Sequence, residues 1–295
     1  MRRARVLGCA LATLVLVIGG CGDDDGGGEA ATSLDVTAVD FAFQNLPEEV
    51  ESGAVELTLT NDGEADHEIA WVEIGDTDIN TFFEDFGPVI TEGAPWPDYV
   101  GTAIGANEAA PGAAGTFTYT LPGGTYAVFC ALTGTPEDPE GEGEPHFAQG
   151  MQQLVTVTGD EAGDLPDGDG TITAEDYTFD VDLSAGDTVI NFSNNGPNDH
   201  FAGFDVFPEG TTVEEAEETF GTLVQLEEGA EPPEGTVFPE EIGFSGIASE
   251  GRSIQFQVPG GLEPGTYIFY CFISDRAGGP PHAIGAQMIK AFVIE

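Results

Sequence analysis

Apolar and polar residues alternate through residues 35–43 and again through residues 170–179, and each run ends on an aromatic side chain, Phe43 or Phe179. A period of two predicts half-buried strands. In residues 55–61, Val55, Leu57 and Leu59 alternate with polar positions, and residues 188–194 repeat the pattern with Ile190 and Phe192. Both runs lead into Asn-x-Gly (Asn61 with Gly63, Asn194 with Gly196) and, four residues after the glycine, into His67 or His200. Residues 124–130 and 265–271 each open with Gly-Thr-Tyr, are dense in β-forming side chains, and close on Cys130 or Cys271. They predict a further strand in each copy. Last strands are predicted at residues 154–157 and 289–294. Equivalent points lie 133 to 141 residues apart. That is a duplicated domain rather than a short-period solenoid.

Between histidine and cysteine each copy carries one helical patch. Ile79, Phe82, Phe83 and Phe86 fall on one face of a helix, and Thr212 with Glu215 makes a capping box ahead of Val213, Ala216 and Phe220. The stretches 87–115 and 221–243 are rich in Gly, Pro and Ala or Glu and predict long surface loops. Residues 159–168 read as the link between copies. There Asp167, Asp169, Gly170, Ile172 and Asp176 mimic part of a calcium-binding EF-hand loop, but Leu165 stands where the first oxygen ligand belongs and a strand follows. Calcium is not expected.

The 295 residues suit two domains of ordinary size, and 40% hydrophobic residues supply a core for each. With 54 acidic residues against 6 basic ones, the charge belongs to the surface; it repels nucleic acid and anionic lipid, and favours a salty medium or a basic partner. Arg2, Arg3 and Arg5 precede an apolar run at residues 6–18, and Gly19 and Gly20 lead to Cys21. This is the order of a secretion signal, too short to span a bilayer as a stable helix. Cys9, inside the apolar run, reads as a small apolar residue. The ending Val17-Ile18-Gly19-Gly20-Cys21 resembles a bacterial lipoprotein signal. The resemblance implies removal of residues 1–20, acylation of Cys21, and an acidic, glycine-rich tether over residues 21–32. The expected location is extracytoplasmic, on the cell surface or in the periplasm; a plain secretory signal is the alternative.

Every histidine, every cysteine beyond the leader, and every methionine except the initiator falls into one of two copies of an ordered set. The first is His67, Cys130, His146 and Met151; the second is His200, Cys271, His282 and Met288. Two imidazoles, a thiolate and a weak thioether are the ligands of a mononuclear blue-copper site. Outside the cytosol thiols normally pair as disulfides, and one cysteine per copy cannot do so within its own domain. A Cys130–Cys271 bridge between copies is the alternative reading of these two sulfurs.

The short strands, the Asn-x-Gly turns and the Cys, His and Met placed before the last strand resemble the cupredoxin family, which includes plastocyanin and azurin relatives. The resemblance covers nearly all of residues 33–295, twice. It implies an all-β chain of two tandem cupredoxin-like Greek-key β-sandwiches, residues 33–158 and 169–295, each with one short helix and long loops. It also implies up to two copper ions, one per domain, with His67, Cys130 and His146 or His200, Cys271 and His282 equatorial and Met151 or Met288 axial. Fifteen residues separate Cys130 from His146 and ten separate Cys271 from His282, more than small blue-copper proteins use. Where plastocyanin-like sites often carry asparagine after the first histidine, this chain has Glu68 and Phe201.

Three function classes follow: an electron carrier without enzymatic activity, in which His146 and His282 lie nearest the surface and pass electrons to a redox protein; a copper-buffering or delivery lipoprotein; and a degenerate cupredoxin-like binding or structural module without metal. An enzyme is not expected, because the four histidines are all assigned and none remains for a second copper centre or a nucleophile–base pair. No small-molecule substrate is inferred.

Overall fold

The computed structural model describes residues 31–135, 143–160, 163–226 and 230–295. The first copy runs β1 (Thr32–Val39), β2 (Ala42–Gln44), β3 (Glu49–Glu51), β4 (Gly53–Asn61), β5 (His67–Glu73), α1 (Ile79–Glu92), β6 (Ala103–Ala109), β7 (Ala114–Leu121), β8 (Gly124–Phe129) and β9 (Gln152–Thr158), with a 3-10 turn at His146–Gln149. The second runs β10 (Gly170–Glu175), β11 (Thr178–Asp182), β12 (Val189–Asn194), β13 (Gly203–Val206), α2 (Val213–Leu223), β14 (Glu240–Phe244), β15 (Ile247–Ala248), β16 (Arg252–Gln257), β17 (Gly265–Tyr270), α3 (His282–Gly285) and β18 (Ile289–Ile294).

Each copy packs two sheets together. In the first, β2-β1-β4-β7 lies on β3-β9-β8-β5-β6; in the second, β11-β10-β12-β16 lies on β18-β17-β13-β14. The opening strand of each copy runs parallel to the strand that leads into Asn-x-Gly, β1 with β4 and β10 with β12. The architecture is all-β with few short helices, two β-sandwiches in tandem as the sequence resemblance implied.

The copies are joined edge to edge. β7 pairs antiparallel with β16 through Phe117–Phe256, Thr118–Gln255 and Tyr119–Ile254, so one eight-stranded sheet runs through both. β15 of the second copy pairs with β6 of the first. Buried Tyr119 donates its hydroxyl to Asn107 Oδ1 at 2.9 Å, and Asn107 Nδ2 donates to the Ser245 carbonyl at 3.0 Å. Apolar side chains from both copies meet in one continuous core.

The structure departs from the sequence reading in two respects. Residues 35–43 and 170–179 are hairpins rather than single strands, turning at Asp40-Phe41 and Asp176-Tyr177. Phe41 (φ 63) and Asp176 (φ 48) take the left-handed conformation that glycine usually supplies, so no glycine announced either reversal. Nor are the stretches 87–115 and 221–243 loops throughout: α1 continues to Glu92, β6 occupies Ala103–Ala109, and β14 begins at Glu240. β6 is built of small residues because it sits at a bulge against β5. A Cβ on Gly105 (φ 98) would meet the Ile69 carbonyl oxygen at 2.7 Å. The capping box forms as expected, Glu215 N donating to Thr212 Oγ1 at 3.2 Å and Thr212 N to Glu215 Oε2 at 3.0 Å.

The leader, Cys9, Cys21 and the tether up to residue 30 lie outside the described residues. Among the described residues no helix is long and apolar enough to cross a membrane.

Asp205 on β13 is buried, and burial raises its carboxyl from the ordinary 3.8 to about 6, although the Tyr270 hydroxyl donates to it at 3.0 Å. The folded state therefore holds this proton more tightly than the unfolded chain, and stability is lost as pH rises from 3.8 through about 6. Asp205→Asn keeps an acceptor for Tyr270 without the charge. Relative to the parent, the apoprotein variant is expected to gain about 2–3 kcal/mol between pH 4 and pH 7 in urea unfolding. A pH-independent difference would contradict the burial argument.

Candidate metal centres

Asn61 and Asn194 fix the first ligand of each copy in the same way. Asn61 Nδ2 donates to the carbonyls of Ala65 (2.8 Å) and Ala109 (2.7 Å), while its Oδ1 accepts from Gly63 N at 2.8 Å. Asn194 repeats this with Asn198 (2.6 Å), Ala248 (2.8 Å) and Gly196 N (2.9 Å). A turn pinned at three points delivers His67 to the start of β5 and His200 opposite Ala248. Cys130 and Cys271 follow the last residues of β8 and β17, and His146 and His282 open the short turns that precede the final strands.

The donor atoms of His67, Cys130 and His146 lie within 4.8 Å of one another, as do those of His200, Cys271 and His282. His67 Nδ1 is 3.2 Å from His146 Nδ1, and Cys130 Sγ is 3.4 Å from the latter. In the second copy His282 Nδ1 is 3.2 Å from His200 Nδ1 and 3.6 Å from Cys271 Sγ. Both cysteines are buried and free, so the disulfide alternative is not formed.

The chemistry of these donors fits a bound cation. His67 Nε2 faces Asp40 Oδ1 at 3.3 Å and His146 Nε2 faces the Gly134 carbonyl at 2.5 Å, which assigns each ring proton to Nε2. The Nδ1 lone pairs then point at each other, and a single thiol proton can serve only one of them. In the second copy Asp275 Oδ1 takes the outer role for His282 at 3.1 Å. The Asp176 carbonyl faces His200 as a weaker acceptor, outside ordinary hydrogen-bond geometry for its Nε2.

Burial holds the His67 ring below the ordinary imidazole range, against the pull of Asp40, and lowers His200 to about 4 with the His282 charge adding to the effect. Both rings stay neutral near pH 7 and keep a lone pair for a ligand bond. The sulfurs move the other way. Burial, with Glu68 adding, pushes the Cys130 thiol far above its usual range, and burial lifts Cys271 to about 11. Each thiolate therefore needs the charge of an ion beside it. Glu68 N donates to Cys130 Sγ at 3.4 Å, and the Glu68 carboxyl, raised by burial to about 7, accepts from Ala131 N at 2.9 Å.

Met151 and Met288 are fully buried in the same core as the two cysteines. Met151 N donates to the His146 carbonyl (3.0 Å) and its own carbonyl accepts from Cys130 N (3.2 Å); Met288 repeats both bonds with His282 (3.0 Å) and Cys271 (3.3 Å). The longer His282 to Met288 spacing is absorbed by α3 and by Gln287 in the left-handed region (φ 54).

All four imidazoles are at most 2% exposed, with Gly134 against the outer nitrogen of His146 and Asp275 against that of His282. The hairpin tips complete the cover: Phe41 stands edge-on 4.9 Å from the His146 ring, and Tyr177 stands 5.0 Å from His282. Neither these aromatics nor Asp40 and Asp275 were singled out as site residues. Phe41 and Tyr177 follow matching strands of the repeat, β1 and β10, which is a signal; Asp40 and Asp275 stand at unrelated places in the two copies.

The donors are those of a type 1 copper site, one set per copy. No protein-family model matches the chain, and no curated protein matches it. Among solved structures, an auracyanin of Roseiflexus castenholzii aligns at 22% identity over 44% of this chain and 99% of its own, with a TM-score of 0.29. Auracyanin A of Chloroflexus aurantiacus, a blue copper protein, aligns at 20% over 42% and 96%, with 0.25. A copper nitrite reductase of Nitrosomonas europaea aligns at 15% over 90% and 94%, with 0.23. The donor geometry, and not this overlap, carries the assignment.

A Cβ on Gly63 would meet Asp40 Oδ1 at 2.6 Å and His67 Nε2 at 2.8 Å. Gly63→Ala is expected to separate that pair and weaken copper binding at the first site roughly 10- to 100-fold, measured by chelator competition, with the second site unchanged. Unaltered affinity at the first site would show that the Asp40 contact does not hold the ring.

Proposed function

We propose that this protein is an electron carrier with one type 1 copper site in each half, held outside the cytoplasm by a lipid on Cys21. The observation that carries the reading is the pair of buried His-Cys-His clusters, each with a methionine hydrogen-bonded alongside it through the backbone. Copper supplies a one-electron couple when bound. Thiolate and imidazole donors in near-trigonal array suit both of its oxidation states, and a thioether from Met151 or Met288 favours the reduced one. The sandwich fixes the donors, the outer acceptors orient the rings, and the hairpin aromatics keep water off the imidazoles.

Carrier rather than enzyme is the reading favoured by the count of histidines: four in the chain, all at the two sites. The excess of acids in the chain, 54 against 6 bases, supports a basic redox partner. Copper buffering is a second reading, favoured by the complete burial of the imidazoles.

The chain from Ser33 onward, given copper(II), is expected to bind two equivalents and to develop an intense thiolate-to-copper charge-transfer band. A colourless protein that stays metal-free would reject the copper reading and favour a metal-free binding module. A blue protein that exchanges no electrons with redox proteins of its host would favour buffering. Cys130→Ser is expected to remove one copper and leave the other; loss of both with the fold intact would mean that the sites are not independent in their ligands.

A further inference from the structure

We propose that Arg276 makes the second copper site an interdomain site, bracing its ligand-bearing segments against the first copy. The inference rests on the copper reading of that site. Arg276 lies in the loop between Cys271 and His282, and its guanidinium grips Asp199, the residue before His200, in a two-pronged pair: Nε to Oδ2 at 2.6 Å and Nη2 to Oδ1 at 2.9 Å. Asp199 Oδ1 also accepts from Ser249 Oγ at 2.6 Å, and Ser249 follows Ala248, which exchanges both backbone hydrogen bonds with His200. One ion pair thus ties together the segments that supply all three strong donors.

Nη2 also donates to Ser249 Oγ at 3.1 Å within the second copy, and the guanidinium reaches on into the first. Nη1 donates to the Val100 carbonyl at 2.9 Å and Nη2 to the Gly101 carbonyl at 2.7 Å, while Trp96 N donates to the Arg276 carbonyl at 2.8 Å. The guanidinium lies 4.9 Å from the centre of the Trp96 ring. This anchor is itself fixed, because Gly101 N donates to the Glu73 carbonyl (2.9 Å) and Thr102 N to Glu73 Oε2 (3.0 Å) on β5. Asp199 is 3% exposed, so without Arg276 its charge would stay buried without a cation. Lysine keeps the charge but cannot reproduce the planar fork.

Among the described residues the first site has no such brace. No arginine or lysine occurs between Cys130 and His146. The two sites should therefore respond differently to the same change, and this separates positioning from general stability. In full-length protein carrying Cys130→Ser, only the second site remains; in protein carrying Cys271→Ser, only the first.

Arg276→Gln is expected to weaken copper binding roughly 10- to 100-fold in the Cys130→Ser background and to shift its charge-transfer band, while leaving affinity and band in the Cys271→Ser background unchanged. Arg276→Lys should recover part of the loss. Trp96→Leu, a change in the first copy, should give a smaller loss at the second site alone and decides the matter if Arg276→Gln does not fold. Equal losses at both sites, or none at either, would overturn the proposal. If neither parent binds copper, the copper reading fails separately and the apoprotein tests the brace. Amide exchange at His282 and Ala283, which donate to Ile273 and Cys271, should then quicken in Arg276→Gln but not at His146 and Phe147. Unchanged exchange would overturn it.

Discussion

Two imidazole nitrogens 3.2 Å apart with their lone pairs facing, and a sulfur within 3.6 Å, form an arrangement that a cation stabilises and that protons cannot fully satisfy. The spacing occurs twice; the opposed lone pairs are fixed in the first copy, whereas in the second His200 Nε2 has no hydrogen-bond partner to hold its proton there. In the first copy, Asp40 and the Gly134 carbonyl hold the protons on the outer ring nitrogens, so the inner ones cannot relieve the conflict by changing tautomer. Burial keeps the His67 and His200 rings neutral and opposes ionisation of both thiols, so the pocket without an ion is poised to take one.

The surrounding fold keeps these atoms from relaxing apart. Strand ends supply the first histidine and the cysteine, backbone hydrogen bonds fix the turn between the second histidine and the methionine, and a hairpin aromatic covers each pair of rings. Phe41 adopts its left-handed conformation at a cost of about 1–3 kcal/mol, which sheet pairing on both sides offsets. The β7–β16 seam then fuses the copies, and Arg276 connects the second site to the neighbouring sandwich. A duplicated ligand set has become two sites with different dependence on the rest of the molecule.

The ligand sets were legible in the sequence because each uses scarce residue types in the same order at matching strand ends. Helix α1 and the capping box on α2 were legible for a similar reason, since spacing along one helix is local. The Asp40-Phe41 reversal was not, because it uses no glycine. β6 was concealed by its Ala and Gly content, which suits a loop as well as a strand pressed against a bulge. The β7–β16 seam and the Arg276 contacts with Val100 and Gly101 were invisible because they join residues well over a hundred positions apart, chosen by tertiary packing rather than by any local pattern.

The most direct test of the convergent donors is X-ray absorption at the copper edge on the copper-loaded chain, combined with metal content. Two coppers per chain, each with two nitrogen scatterers and one short sulfur, is the result expected from the paired clusters. Copper surrounded only by oxygen and nitrogen, with both thiols still open to alkylation, would contradict it.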